Sequence, residues 1–246
     1  MSIIGISGRI GVGKDVTGRI IQYLTSEYKD NYEYSDWIDR VENYGSKTYS
    51  PWEIKKFAGK LKQIASLLTG IPVEDFEDQE FKKSYLGAEW GTVESNPLNS
   101  IPVFENIEFN HLMSVREFLQ KLGTDAMRDN LHTNVWCNAL FSEYRGPKMS
   151  EYNPSNWIIT DMRFPNEMEA VKERKGITIR VVRDNPSVET LTKEDVIRTF
   201  NILRHTEHPS ETALDDAKFN YEIINNGSIA DLIEKVRQIL ITEKII

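Results

Sequence analysis

The chain has 246 residues, 39% of them hydrophobic and 28% charged, enough apolar material for one well-packed domain and consistent with an α/β domain that carries an insertion. Its formal net charge of −8 repels DNA, RNA and anionic lipid at long range, which argues against extended nucleic acid or a membrane as partner. An anionic small molecule must then be captured locally, by Lys, Arg and backbone N–H groups.

Cys137 is the only cysteine, so no intrachain disulfide can form, which suits a reducing compartment. The N-terminal apolar run is too short for a signal peptide and has no basic segment before it. No stretch approaches the roughly 18 apolar residues of a membrane span. The expectation is a soluble, cytoplasmic protein.

Ser2 to Ser7 is rich in isoleucine, ends at Gly8 and predicts a buried strand. From Lys14 to about Tyr28 the pattern is helical, with Val16, Ile20, Ile21 and Leu24 on one face. Trp52 to Ala58 predicts a second strand, followed by a helix holding Leu61, Ile64, Ala65 and Leu68 that Gly70 stops. Residues 71–113 hold three prolines and no sustained period, and read as an irregular insertion.

Ser114-Val115-Arg116-Glu117 has the form of a capping box, and Val115, Phe118, Leu119 and Leu122 give the helix after it one apolar face. Trp157 to Thr160 predicts a strand with Asp161 at its C-terminal end. Pro165 suits the first turn of the next helix, which Gly176 ends. Ile177 to Val182 and Tyr221 to Ile224 read as further strands. Ser228 caps a last helix with Asp231 three residues on, its stripe made by Ile229, Leu232, Ile233, Val236, Ile239 and Leu240. Strands alternating with helices indicate a parallel sheet covered on both faces.

The chemistry begins at Gly8-Arg9-Ile10-Gly11-Val12-Gly13-Lys14, which matches G-x-x-x-x-G-K between a strand and a helix. Glycines let backbone N–H groups turn around phosphate oxygens, and the lysine adds charge near the β- and γ-phosphates. The helix that follows, through Asp15 and Val16, adds its positive end. The plain alternative, a glycine-rich turn with an incidental lysine, does not account for the strand before it and the helix after it.

Asp15 stands where Ser or Thr usually follows the lysine, and the nearest hydroxyl is Thr17. Mg²⁺ prefers oxygen ligands, so Asp15, Thr17 and Asp161 are the candidate metal residues. Asp15 serves equally well as a helix-capping carboxylate. Asp161 with Arg163 falls at a strand's C-terminal edge, where ligands bind in open α/β sheets. Arg163 suits a bidentate phosphate contact; the plain alternative is a surface Asp–Arg pair. Arg116, Arg128, Arg198 and Arg204 are further phosphate candidates, each with a solvated helix arginine as the alternative. His205 and His208 lack the other ligands a zinc site needs.

With these blocks in hand, the chain resembles the deoxynucleoside monophosphate kinases of tailed bacteriophages. The resemblance rests on the Gly-Lys-Asp loop, on Leu119-Gln120-Lys121-Leu122-Gly123-Thr124-Asp125 with Arg128 and Trp136, and on Asp161-Met162-Arg163-Phe164-Pro165-Asn166-Glu167. His208-Pro209-Ser210-Glu211 and Ile223-Ile224-Asn225-Asn226-Gly227-Ser228 add to it. It implies a single α/β domain over 1–246 with a P-loop kinase fold, a five-stranded parallel sheet flanked by helices. It implies Mg·ATP as donor and a deoxynucleoside monophosphate acceptor beside residues 58–130, with Lys60, Asp125, Arg128, Trp136, Arg163 and Glu167 at the acceptor. It further implies that 184–211, with Arg198 and Arg204, closes as a lid. A phage-encoded enzyme of this kind works in the host cytoplasm.

Val16 departs from the threonine expected in relatives, and the choice between Asp15 and Thr17 at the metal stays open. The expected mechanism is in-line transfer: Lys14 and the loop amides hold the donor phosphates while Arg163 and Arg128 orient the reacting groups. Three alternatives remain: a phosphomevalonate-kinase-like enzyme, a P-loop ATPase working on nucleic acid, and a silent nucleotide-binding module. Phe57, Trp90 and Trp136 are available to stack on a base, with ordinary core packing as the alternative for each. A homodimer is the default for a soluble enzyme.

Overall fold

The isoleucine-rich run at the start of the chain forms β1 (Ile3–Ser7), every residue of which is buried. A strand apolar on both faces needs cover on both, which helices flanking a parallel sheet supply. In the computed structural model, which describes residues 3–94, 109–144, 156–183 and 212–246, the further strands are β2 (Trp52–Lys55), β3 (Thr92–Glu94), β4 (Phe109–His111), β5 (Asn156–Ile159), β6 (Ile177–Val182) and β7 (Tyr221–Ile224). The helices are α1 (Lys14–Leu24), α2 (Tyr34–Glu42), α3 (Ala58–Thr69), α4 (Val115–Gln120), α5 (Val135–Phe141), α6 (Pro165–Glu173) and α7 (Ile229–Thr242). The chain divides into two compact units, residues 1–57 with 139–246, and residues 58–138.

The larger unit holds the expected five-stranded sheet, in the order β2-β5-β1-β6-β7, with every neighbouring pair parallel. β1 is central, and the chain crosses from one side of it to the other between β5 and β6. That reversal opens a crevice at the strands' C-terminal ends. Ile4, Ile6, Ile20, Ile21, Leu24, Ile158, Ile179, Val181, Val236 and Leu240 form one buried cluster that joins the sheet to α1 and α7. Each such aliphatic side chain contributes about 1.5–3 kcal/mol by burial.

Several local expectations hold, each with a visible cause. Ser228 and Asp231 cap α7 reciprocally: the Asp231 N–H donates to Ser228 Oγ at 3.2 Å, and the Ser228 N–H to Asp231 Oδ2 at 2.8 Å. The Ser114 hydroxyl accepts the Glu117 N–H at 3.2 Å and opens α4. Gly70, at φ 74°, donates its N–H to Ser66 O and closes α3.

Others are corrected. α1 ends at Leu24 rather than near Tyr28, where the Thr25 hydroxyl turns back to Ile21 O at 2.7 Å. Val16 is 36% exposed, and Thr17 and Gly18 occupy the buried face instead. A Cβ at Gly18 would come within 2.7 Å of Thr160 Cγ2, so the missing side chain lets α1 lie close on the end of β5. β2 stops at Lys55 because the Phe57 N–H is taken by the Asp161 carboxylate at 2.8 Å, and α3 begins directly after. At the end of α6 the left-handed residue is Lys175, at φ 58°, not Gly176. Gly176 is needed for closeness, since a Cβ there would meet Ile3 O at 2.9 Å. Between Tyr28 and Trp52, where hydrophobic period is silent, α2 anchors itself by Trp37, 3% exposed and ringed by Tyr23 and Tyr34.

The smaller unit has its own cluster of Ala65, Phe76, Leu86, Val115 and Phe118, with Leu119 and Leu122 packed against it. Residues 71–113, expected to be irregular, supply three short 3-10 turns (Asp75–Glu77, Phe81–Lys83, Ala88–Trp90) and the antiparallel pair β3–β4. After α4 the helix does not simply continue: Lys121–Asp129 is wound as a π-helix. Wider turns of this kind are rare and recur at functional sites. Here Trp136 Nε1 donates to Gly123 O at 2.9 Å, and the His132 N–H reaches five residues back to Met127 O. Among the described residues no helix is long and apolar enough to cross a membrane.

Candidate active site

The loop between β1 and α1 takes its shape from glycine. Gly8, Gly11 and Gly13 have φ of 150°, 80° and 104°, which side-chain-bearing residues rarely adopt. At Gly8 a Cβ would also lie 2.2 Å from Val181 O, a backbone atom that cannot step aside. Gly13 is the N-cap of α1 and brings no capping side chain, so the first amides of the helix are offered to a ligand. Lys14 Nζ lies back along the loop, donating to Gly8 O at 2.7 Å and Arg9 O at 2.8 Å. Its charge is thereby held against the backbone of the loop.

The loop is braced from β6 and from beyond β7. Arg9 pairs with Asp215 at 3.0 Å, and the same carboxylate takes Arg180 of β6 at 3.0 Å. The buried Asn225 donates from Nδ2 to Val12 O at 2.8 Å.

Asp15 stands in the first turn of α1, where its Oδ1 accepts the Thr160 hydroxyl at 2.6 Å and pairs with Lys56 Nζ at 3.4 Å. Burial raises the carboxyl's pKa, but the Thr160 hydrogen bond and the charges of Lys56 and Lys14 outweigh it, leaving the group below its ordinary value. It is therefore ionised at neutral pH. Because Thr160 immediately precedes Asp161, this bond fixes Asp15 at the end of β5. Asp161 in turn accepts the Phe57 N–H, which ties the ends of β5 and β2. Asp15 is thus held by Thr160 and Asp161 follows at the next position, so both carboxylates are fixed from the end of β5.

Thr17 lies differently. It is fully buried, and its hydroxyl donates to Gly13 O at 2.9 Å, inside the helix rather than toward the crevice.

Beyond Asp161 the chain turns into α6 with Pro165 in its first turn. Glu167, only 3% exposed, accepts the N–H groups of Arg163 at 2.7 Å and Phe164 at 3.1 Å. Its carboxylate caps the helix and fixes the backbone from which Arg163 projects.

Most of the remaining expected residues belong to the smaller unit. Lys60 lies in the first turn of α3, and Asp125 and Arg128 lie on the π-helix. Trp136 is 7% exposed with its indole N–H committed to Gly123, a packing role. Phe57 and Trp90 likewise pack on rings, Phe141 and Phe118 respectively. Arg116 bonds Gln79 at 3.3 Å. Arg198, Arg204 and the segment 184–211 lie outside the described residues.

Lys56 and Asp215 reach the site without having been named in the sequence, while Thr160 stood there only as a strand end and Asn225 only within the block shared with the family. Thr160 was adjacent to a named acid, and Lys56 was a cation at a strand end. Asp215, and the contact that Asn225 makes, had no local signal, because the partners are 206 and 213 residues away.

Comparison with known proteins follows the same lines. The family model for deoxynucleotide monophosphate kinase matches residues 79–236. The chain is 23% identical to the deoxynucleoside-5'-monophosphate kinase of Escherichia phage T5, over 91% of this chain and 89% of the relative. It is 29% identical to a putative deoxynucleotide monophosphate kinase of Acanthamoeba polyphaga mimivirus, over 49% of this chain and 58% of the relative. Against the deoxynucleotide monophosphate kinase of Enterobacteria phage T4 the figure is 27%, over 56% of this chain and 49% of the relative. With a matched region that takes in Asp161, Arg163, Glu167 and Asn225, this chain belongs to the deoxynucleotide monophosphate kinase family.

Proposed function

We propose that this chain transfers the γ-phosphoryl group of ATP to a deoxynucleoside monophosphate, giving ADP and a deoxynucleoside diphosphate. The observation that carries this reading is the pairing of a glycine-shaped loop after β1 with a carboxylate corner after the adjacent β5, in a chain of this family.

Donor phosphates bind to the loop amides and to Lys14, whose Nζ exchanges the Gly8 and Arg9 carbonyls for phosphate oxygens. The donor set fits Mg²⁺: Asp15, ionised and fixed by Thr160, and Asp161 offer hard oxygens, whereas the buried Thr17 does not face the crevice. We therefore assign the ion to Asp15 and Asp161. When bound, it neutralises charge on the donor phosphates. Lys56 balances Asp15 otherwise.

Arg163, on a backbone fixed by Glu167, and Arg128, Lys60 and Asp125 of the smaller unit are assigned to the phosphates and the acceptor. Trp136 supports the π-helix rather than stacking on a base. An oxygen of the acceptor phosphate attacks the γ-phosphorus, the bond from that phosphorus to the β–γ bridging oxygen breaks, and ADP leaves. The nucleophile is already anionic, so no strong protein base is required; position and charge neutralisation supply the rate. The single cysteine and acidic surface suit work in a reducing cytoplasm on small anions.

The test is ADP release from Mg·ATP in the presence of each deoxynucleoside monophosphate, its ribose counterpart and phosphomevalonate. Turnover with one or more deoxynucleotides is expected. Turnover only with phosphomevalonate, or only ATP hydrolysis stimulated by DNA, would overturn the acceptor assignment.

A further inference from the structure

We propose that Asn225 is a positioning residue of the nucleoside triphosphate site, setting the direction of a phosphate-binding amide in a loop more than two hundred residues away in sequence. This rests on the reading of the β1–α1 loop as the donor site and goes beyond it by naming what holds the loop in shape.

Asn225 follows β7 and is 6% exposed. Its own backbone is fixed twice: its N–H donates to Val182 O at 2.8 Å, and its carbonyl accepts Arg183 Nε at 3.0 Å. The side chain therefore leaves a rigid base. From it, Nδ2 donates to Val12 O at 2.8 Å across a buried contact. A backbone carbonyl can only accept, so the amide nitrogen, not its oxygen, must face Val12.

The consequence lies in the peptide that joins Val12 to Gly13. It is trans, as no cis bond occurs among the described residues. In a planar trans peptide the C=O and the N–H point to opposite sides. Holding Val12 O against Asn225 therefore fixes the Gly13 N–H on the far side of that plane. Gly13 is in the heart of the phosphate-binding motif, where one misdirected amide removes a hydrogen bond to an anion. The same contact explains the glycine independently of its φ of 104°, since a Cβ there would lie 2.6 Å from Asn225 Nδ2. One residue thus both requires Gly13 to be small and aims its N–H.

A residue that only filled space would affect stability and both substrates alike. A positioning residue weakens the donor selectively. The experiment compares the full chain with Asn225→Asp, which keeps the shape and loses the donor, and with Asn225→Ala. ADP affinity is measured by calorimetry, the KM values for ATP and for the accepted deoxynucleotide by steady-state kinetics, and stability by thermal melting.

In Asn225→Asp we expect ADP affinity to fall and ATP KM to rise by about tenfold or more, the effect of one lost charge-assisted bond. The deoxynucleotide KM stays within about twofold of the parent value. Should Asn225→Asp fail to fold, Asn225→Ala carries the same measurement without adding a charge. Unchanged ADP affinity in the folded variants, or equal losses for both substrates, would overturn the proposal. If the parent protein binds ADP but turns over no deoxynucleotide, the acceptor reading fails, and the ADP comparison still decides the role of Asn225.

Discussion

The phosphate loop and the π-helix of the smaller unit each place a motif glycine in a space too small for a methyl group, but their neighbours differ in kind. Gly8 abuts the Val181 carbonyl, part of the ladder of β6, while Gly123 abuts the tip of Leu61, whose Cδ2 would be 2.8 Å from an added Cβ. The first surface is main chain and cannot move without breaking the sheet. The second is a flexible side chain that can change rotamer. A phosphate site common to every donor nucleotide can be built from backbone, whereas a surface built from side chains can be altered by substitution without loss of the fold.

The largest break in that comparison comes from the motif lysine. Lys14→Ala is expected to lower kcat by at least about a hundredfold while the circular dichroism spectrum stays that of the parent. Near-normal turnover in that variant would remove the loop from the chemistry.

Gly8→Ala tests the backbone-built surface directly. With φ at 150° and a backbone oxygen 2.2 Å from the new Cβ, it should cost at least about 2 kcal/mol in urea unfolding. A loss below about 0.5 kcal/mol would mean that the loop is looser than its geometry implies.

On the other side, Arg128→Ala is expected to raise the deoxynucleotide KM by about tenfold and leave the ATP KM nearly unchanged. An effect confined to ATP would move Arg128 to the donor. Gly123→Ala, by contrast, should change stability by less than about 1 kcal/mol, because Leu61 can yield and alanine favours helical backbone. A destabilisation as large as that of Gly8→Ala would show that the two surfaces are equally rigid.

The smallest effect is the pH dependence of the corner between them in sequence. Asp15 has a carboxyl below its ordinary value of 3.8, so its contribution to stability is present above 3.8 and is lost as pH falls through the lowered value. Its side chain is 67% exposed, which limits the contribution to less than about 1 kcal/mol. Without added metal, the stability gap between the parent and Asp15→Asn should be level at neutral pH and narrow below 3.8. A gap that persists in acid would assign it to packing instead of charge.

Much of this was legible in the residues themselves, because it is short-range physics. Isoleucines in β1, the glycines of the loop, the Ser114 and Ser228 caps and Pro165 at the start of α6 each act on neighbours within a few positions. Period and composition were enough for the parallel sheet, and motif plus context for the glycine-shaped turn between β1 and α1. Period failed where a partner far along the chain outbid the local pattern. β2 was cut short when Asp161 took the Phe57 N–H, the helix after α4 widened beside Trp136, and Val16 was left outside while Thr17 went in.

By itself, then, the sequence determined which residue types were present: a lysine and glycines suited to phosphate, two acids and a threonine suited to a metal, and arginines suited to a transferring phosphate. The tertiary structure alone decided how those groups are held. Thr160 fastens Asp15, Lys56 balances it, Glu167 fixes the corner under Arg163, and Asn225 and Asp215 brace the loop. The physical reason is range. Backbone preference and capping act over one turn of chain, while a hydrogen bond or ion pair depends on distance in space, which exists only once the sheet has formed.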